Sequence, residues 1–227
     1  MTNAASDGGP RFHGVRLVVF DLDGTLVDAF GDIAAAANVL LDRLKRPPMT
    51  VDEVKRHVGR GVYELIAGVL GTRDEKMMAL GVEVFTDHYT RNATTHARVY
   101  DGVREALVEL RRHGIRTAVA SNKPHALTRR VVDQVGLGEL FDDVFGQSDL
   151  FPRKPAPDLL QHLMNAAGTT ARTTILVGDS PTDVEFANAA GVACVVVSQG
   201  QATREELEEA RPAAILDSMH ELPALIL

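Results

Sequence analysis

Val18-Val19-Phe20-Asp21-Leu22-Asp23-Gly24-Thr25-Leu26 decides the fold, because an apolar, strand-forming run stops at two carboxylates spaced one residue apart. A short apolar run of this kind reads as a buried strand. Taking an unpaired carboxylate out of water costs several kcal/mol, so two at a strand end call for a positive partner, and a bound cation supplies one at close range. Gly24 admits a sharp turn, and Thr25 sets a hydroxyl beside it. A lone Asp-x-Asp-Gly is more often explained as a strand-end Asx turn. Matching strand ends further along the chain decide against that explanation.

At 227 residues the chain has room for one large domain or two small ones. A net charge of −7 gives no general attraction for polyanions, so no nucleic-acid partner is expected. No apolar stretch approaches the roughly 20 residues that span a bilayer, so no membrane partner is expected either. The single cysteine, Cys194, sits in a β-branched run and reads as a small buried strand residue rather than a reactive thiol. Met1 to Pro10 is small, polar and glycine-rich without an apolar signal core, which reads as a loose tail. Cytoplasm is the expected compartment.

After about residue 100, strands and helices alternate, the pattern of a parallel sheet covered by helices. Helices are expected over Asp101–His113, Lys123–Val135, Pro157–Ala167 and Pro181–Ala190. Strands are expected over Thr117–Ala120, Phe141–Phe145, Thr174–Val177, Ala193–Val197 and Ala214–Leu216, with a short helix closing the chain. The stretch from about Asp28 to Ala97 differs. It has no convincing strand, and its helical patterns centre on Ile33–Leu44, Val62–Val69 and Met77–His88, a small bundle inserted after the first strand. Met77 and Met78 read as core filler there.

In an open parallel sheet, ligands bind beyond the carboxyl ends of the strands. Four polar clusters fall at such ends or in the loops leaving the sheet. Asp21-x-Asp23 is the first. Ser121-Asn122-Lys123-Pro124 is the second, explained either as a helix cap or as a phosphate cradle at a helix start. The third is Arg153-Lys154-Pro155-Ala156-Pro157, where two prolines give Lys154 a stiff mount suited to a transferring phosphoryl group. The fourth is Gly178-Asp179-Ser180-Pro181-Thr182-Asp183. Ser180-x-x-Asp183 has the form of a capping box, which leaves Asp179 unexplained at the end of a hydrophobic strand. Oxygen-only ligation by such carboxylates suits Mg2+.

Taken together, the four clusters resemble the motif set of the haloacid dehalogenase (HAD) superfamily, in order and in spacing, over nearly everything from Val15 onward. The resemblance implies an α/β, Rossmann-like core with a central parallel sheet flanked by helices, plus an inserted all-helical C1 cap. The implied boundaries are a flexible tail over 1–13, a core over 14–27 and 98–227, and a cap over 28–97. Within the superfamily, Asp28–Leu41 and Val58-Gly59-Arg60-Gly61-Val62 look most like phosphoglycolate phosphatases; Ser121 stands where many of these have threonine.

The resemblance further implies Asp21 as nucleophile forming an aspartyl-phosphate and Asp23 as general acid and base. It implies Ser121 and the Asn122 backbone as phosphoryl donors, and Lys154 as the compensating cation. Mg2+ would be held by Asp21, the Asp23 carbonyl and Asp179, with Asp183 as a second-sphere or additional ligand. Thr25, Gly59 and Gly61 join the substrate-binding set. Arg60, between its glycines, is either a contact to a substrate carboxylate or an exposed turn residue. His57 reads as structural. The expected partner is a small phosphorylated metabolite, and the protein a monomer or homodimer. Two other readings stay open: a β-phosphoglucomutase-like sugar phosphomutase, and a non-catalytic phospho-receiver-like module.

Overall fold

The computed structural model describes residues 12–227. Six parallel strands form the central sheet: β1 (Leu17–Phe20), β4 (Arg116–Pro124), β5 (Asp143–Gln147), β6 (Thr174–Gly178), β7 (Ala193–Val197) and β8 (Ala214–Leu216). Their order is β5-β4-β1-β6-β7-β8. The first strand of the chain thus lies in the middle, and the connections wind away from it in both directions. The register sets Phe20 level with Val119 and Val177, so Asp21, Ser121 and Asp179 emerge together at one edge.

Apolar residues on both sides of these strands explain why both faces are covered. On one face, Leu17, Val19, Ala118, Leu176 and Val196 pack against α7 (Asp158–Ala167), α8 (Pro181–Ala189) and α9 (Arg204–Ala210), through Leu160, Phe186 and Leu207. On the other, Val18, Phe20 and Val119 pack against α5 (Val103–Arg112), α6 (His125–Gln134) and the closing α10 (Leu222–Ile226). Each fully buried large side chain contributes about 1.5–3 kcal/mol. Cys194 is buried, as expected.

Between β1 and α5 the chain forms α1 (Phe30–Arg43), α2 (Val51–Lys55), α3 (Val62–Leu70) and α4 (Glu75–Asn92). Their apolar stripes meet at Leu40, Ile66 and Phe85, with Met78 among them, and run through Leu22 and Leu26 into the core on the Phe20 face. The helices hang from a two-stranded antiparallel ribbon, β2 (Val27–Asp28) and β3 (Arg98–Val99). Beside it, Asp32 is buried in the first turn of α1 and accepts from the backbone N–H groups of His96 (3.0 Å) and Ala97 (2.9 Å).

Several expectations are corrected. The ribbon lies where no strand was expected, each half being too short for any alternation to register. Helix α2 was not foreseen. Strand β4 runs on through Ser121-Asn122-Lys123-Pro124, and α6 starts only at His125. Proline disfavours helical backbone in the residue before it, which keeps Lys123 extended. Neither Ser121 nor Asn122 therefore caps α6. Strand β5 begins at Asp143 rather than Phe141, whose ring instead packs edge-on against Phe20 at 6.1 Å. Of the tail expected over 1–13, residues 1–11 lie outside the described residues. Phe12 is tied down, its N–H donating to the Leu225 carbonyl at 2.9 Å. Among the described residues no helix is long and apolar enough to cross a membrane.

Asp32→Ala strips a buried acceptor from two backbone N–H groups. It should lower stability by about 1–3 kcal/mol, the worth of hydrogen bonds to a charged acceptor at these part-buried N–H groups. Urea unfolding checks this, and a loss below about 0.5 kcal/mol would mean the two N–H groups pair elsewhere.

Candidate active site

Asp21 at the end of β1, Asp179 at the end of β6 and Asp183 in the first turn of α8 are buried, and each offers an oxygen within 4.8 Å of the others. One cation lies among them. The Lys154 ammonium sits 3.0 Å from Asp21 Oδ1 and 2.8 Å from Asp183 Oδ1. For Lys154 burial is the largest influence and favours the neutral amine. The charges and hydrogen bonds of Asp183 and Asp21 outweigh it and hold the ammonium above the usual lysine range.

One lysine does not balance three buried acids. Burial first, then the Asp183 charge, pushes Asp21 up to about 6 against the pull of Lys154. Burial and the charges of Asp183 and Asp21 push Asp179 well above the carboxylate range as well. Asp21 Oδ1 is buried with only the Lys154 ammonium beside it, in an ion pair that makes no well-formed hydrogen bond. A buried, all-oxygen donor set with an oxygen short of hydrogen bonds and excess negative charge fits a divalent cation. Asp21 and Asp179 would hold it.

Asp179 lies in a slot of backbone. Its Oδ1 accepts from Thr25 Oγ1 at 3.0 Å, and its Oδ2 from the Gln201 N–H at 2.6 Å. A Cβ on Gly24 or on Gly200 would come within 2.2 Å of Oδ2, and Gly24 also has φ of +88°. Asp183 Oδ2 accepts from Ser180 Oγ at 2.7 Å and from the Asp179 N–H at 3.3 Å. The capping box expected at Ser180 is therefore not formed. The serine hydroxyl and Asp183 are turned onto each other, and Asp183 braces Lys154 and Asp179.

Asp23 points the other way. Both its oxygens accept from the Lys123 ammonium, at 2.5 and 2.7 Å, a pairing that sequence reasoning missed because Lys123 was assigned to a helix. For Lys123, too, burial opposes the charge, and Asp23 prevails. The Asn122 side chain clamps the Lys154 backbone, accepting from its N–H at 2.9 Å and donating to its carbonyl at 3.2 Å. The same amide donates to the Gly59 carbonyl at 3.0 Å. Gln201 Nε2 donates to the Val58 carbonyl at 2.8 Å, and Arg153 donates to the Arg60 carbonyl at 3.4 Å. The α2–α3 loop is thereby fastened over the strand ends.

Beneath that loop lies a cavity of about 50 Å³, lined by Asp21, Asp23, Ser121, Asn122, Lys123 and Asp179 from the sheet side, with Gly59 and Gly61 from the loop. Two expected substrate contacts are not on its wall. Thr25 is fully buried and orients Asp179. Arg60 is exposed and faces a separate outer cleft with Lys55, Arg56 and Arg73. His57 packs its ring against Gly68, in keeping with a structural role.

The family description "haloacid dehalogenase-like hydrolase" matches residues 18–197, most of the chain and all four strand ends. The chain belongs to that family. This hydrolase is 36% identical over 213 residues to a phosphoglycolate phosphatase of Pseudomonas savastanoi pv. phaseolicola, covering 91% of this chain and 78% of the relative. It is 33% identical over 216 residues to one from Vibrio parahaemolyticus, covering 92% and 94%. A crystal structure of a predicted phosphoglycolate phosphatase from Haemophilus somnus superposes with a TM-score of 0.87 at 27% identity, covering 92% and 96%. The hydrolase is a HAD-superfamily phosphatase resembling phosphoglycolate phosphatases, which sets the receiver-like reading aside.

Because Asp21 and Asp179 hold protons above the ordinary carboxylate range, the metal-free protein loses stability as pH rises from about 4 through 6, where the native site must give up protons the unfolded chain has already lost. A divalent cation needs those carboxylates ionised. The melting temperature should therefore rise more on adding MgCl2 at pH 7.5 than at pH 5. An equal rise at both would argue against cation binding at these carboxylates.

Proposed function

We propose that this hydrolase releases phosphate from 2-phosphoglycolate, giving glycolate, with Mg2+ and through an aspartyl-phosphate on Asp21. The observation that carries the reading is the Asp21 carboxylate at the focus of the sheet, beside a fixed lysine and a second acid, in a chain more than a third identical to a phosphoglycolate phosphatase.

Asp21 attacks phosphorus, and the alkoxide departs. The Ser121 hydroxyl and the Asn122 backbone hold the phosphoryl oxygens. Lys154, fixed by Asp183 and by the Asn122 clamp, offsets the charge that develops on them. Asp23 delivers a proton to the leaving oxygen and then takes one from the water that opens the acyl phosphate. The Lys123 ammonium sets the orientation of Asp23. Bound Mg2+, held by Asp21, the Asp23 carbonyl and Asp179, would neutralise phosphate charge. Residues 28–97 act as a cap on the 14–27 and 98–227 core, pivoting at the β2–β3 ribbon and shut through the loop contacts at Val58, Gly59 and Arg60. The enzyme would work in the cytoplasm, as monomer or homodimer.

The test is phosphate release from a panel of small phosphoesters, with and without Mg2+, beside an assay for conversion of β-glucose 1-phosphate to its 6-phosphate. Hydrolysis of 2-phosphoglycolate should dominate. Asp21→Asn should fall at least 10³-fold in kcat while keeping its melting profile. Efficient isomerisation of the sugar phosphate would replace the proposal with a mutase.

A further inference from the structure

The cavity above Asp21 has two chemically different ends. The sheet end carries the phosphoryl machinery. The far end is formed by the helices of residues 28–97 and is apolar at Ile33, Val62, Leu65 and Phe85. One polar side chain interrupts it. Tyr89, on α4, is 2% exposed, lines the cavity, and its hydroxyl has no hydrogen-bond partner. Buried hydroxyls are nearly always paired, because leaving one unpaired is destabilising. The ring is held in place by stacking on Phe85, with centroids 5.4 Å apart. Burial holds the phenol well above its usual pKa, so it remains an O–H donor.

Beside it, the Lys123 ammonium lies 4.9 Å from the Tyr89 ring centroid. Two of its hydrogens go to Asp23, and the third is turned toward the Tyr89 hydroxyl without a well-formed hydrogen bond, which leaves the phenolic O–H free to donate. Of the other donors near the cavity, both N–H groups of the Asn122 amide are engaged by Gly59 and Lys154, and one of the two on the Gln201 amide by Val58. The helix above, α3, starts at Gly61 without a side-chain cap, so its first N–H groups add positive character to the same end. Arg60 faces the outer cleft instead.

We propose that Tyr89, seconded by Lys123, is the specificity residue that receives the charged end of the leaving group, selecting short phosphoesters whose alcohol carries a carboxylate. The inference rests on the phosphatase reading above and names the part of the site that tells one small phosphoester from another. A carboxylate there pairs the orphaned hydroxyl, whereas a methyl group leaves it buried and unpaired. Sites built to hydrogen-bond a polar group reject analogues that lack it far more strongly than apolar pockets reject size variants.

The experiment compares 2-phosphoglycolate with ethyl phosphate, which has the same two-carbon skeleton and a methyl in place of the carboxylate. Both are assayed with Mg2+ on the wild-type enzyme, Tyr89→Phe and Arg60→Ala, and glycolate is titrated as a product inhibitor. The wild type should favour 2-phosphoglycolate. In Tyr89→Phe the ratio of kcat/KM values should fall about tenfold or more, mostly through KM, with glycolate inhibition weakened by a similar factor. Its melting temperature should hold or rise, since the lost hydroxyl pairs with nothing. A ratio within twofold of wild type, or a collapse in Arg60→Ala alone, overturns the assignment and leaves the phosphatase reading standing. A wild-type enzyme that hydrolyses ethyl phosphate as well as 2-phosphoglycolate overturns the substrate reading itself, before any substitution is considered.

Discussion

Lys154 is suspended between Asp21 and Asp183 in a region that excludes water, and the rest of the site is arranged around that suspension. An ammonium buried there without partners would shed its proton, and the acids without it would repel one another. The ammonium keeps its charge because Asp21 and Asp183 flank it, and its own charge in turn eases the ionisation of Asp21. The arrangement still carries more negative than positive charge. That imbalance makes the pocket receptive to a divalent cation. The surrounding hydrogen bonds determine where the remaining charge sits: Ser180 and the Asp179 N–H hold Asp183, while Thr25 and Gln201 hold Asp179.

Much of this was legible in the sequence, for a physical reason. Hydrophobic strands that end in Asp21 and Asp179 violate the rule that buried strands exclude charge, and parallel-sheet geometry gathers such violations at one edge. Lys154 was legible for another reason, the two prolines that follow it and stiffen its loop. Asp183 was harder to judge, because Ser-x-x-Asp at a helix start has an ordinary explanation. The structure shows that the ordinary hydrogen bond is not made. Helix α2 was legible and overlooked: Thr50-x-x-Glu53 is a capping box, with the Thr50 N–H donating to Glu53 at 2.7 Å and Thr50 Oγ1 accepting from the Glu53 N–H at 3.2 Å.

Other features leave no local trace. The Lys123–Asp23 pair joins residues a hundred positions apart. It depends on β4 staying extended past Ser121, which only the proline at 124 hints at. Tyr89 falls on the apolar face of an ordinary amphipathic helix, and nothing in its neighbours marks its hydroxyl as unpaired. Arg60 shows the converse problem. A basic residue between glycines invites a ligand contact, but whether it faces inward depends on how α3 leaves the loop, and here it faces out.

The ribbon of β2 and β3, with Asp32 joining the first turn of α1 to the backbone at His96 and Ala97, brings the two ends of a long insertion to one point. Seen from the sheet, some seventy residues amount to a tight loop. The alignment of Asp21 with Asp179 owes nothing to their length. What hangs from those two threads can change in length without displacing the strand ends beneath it.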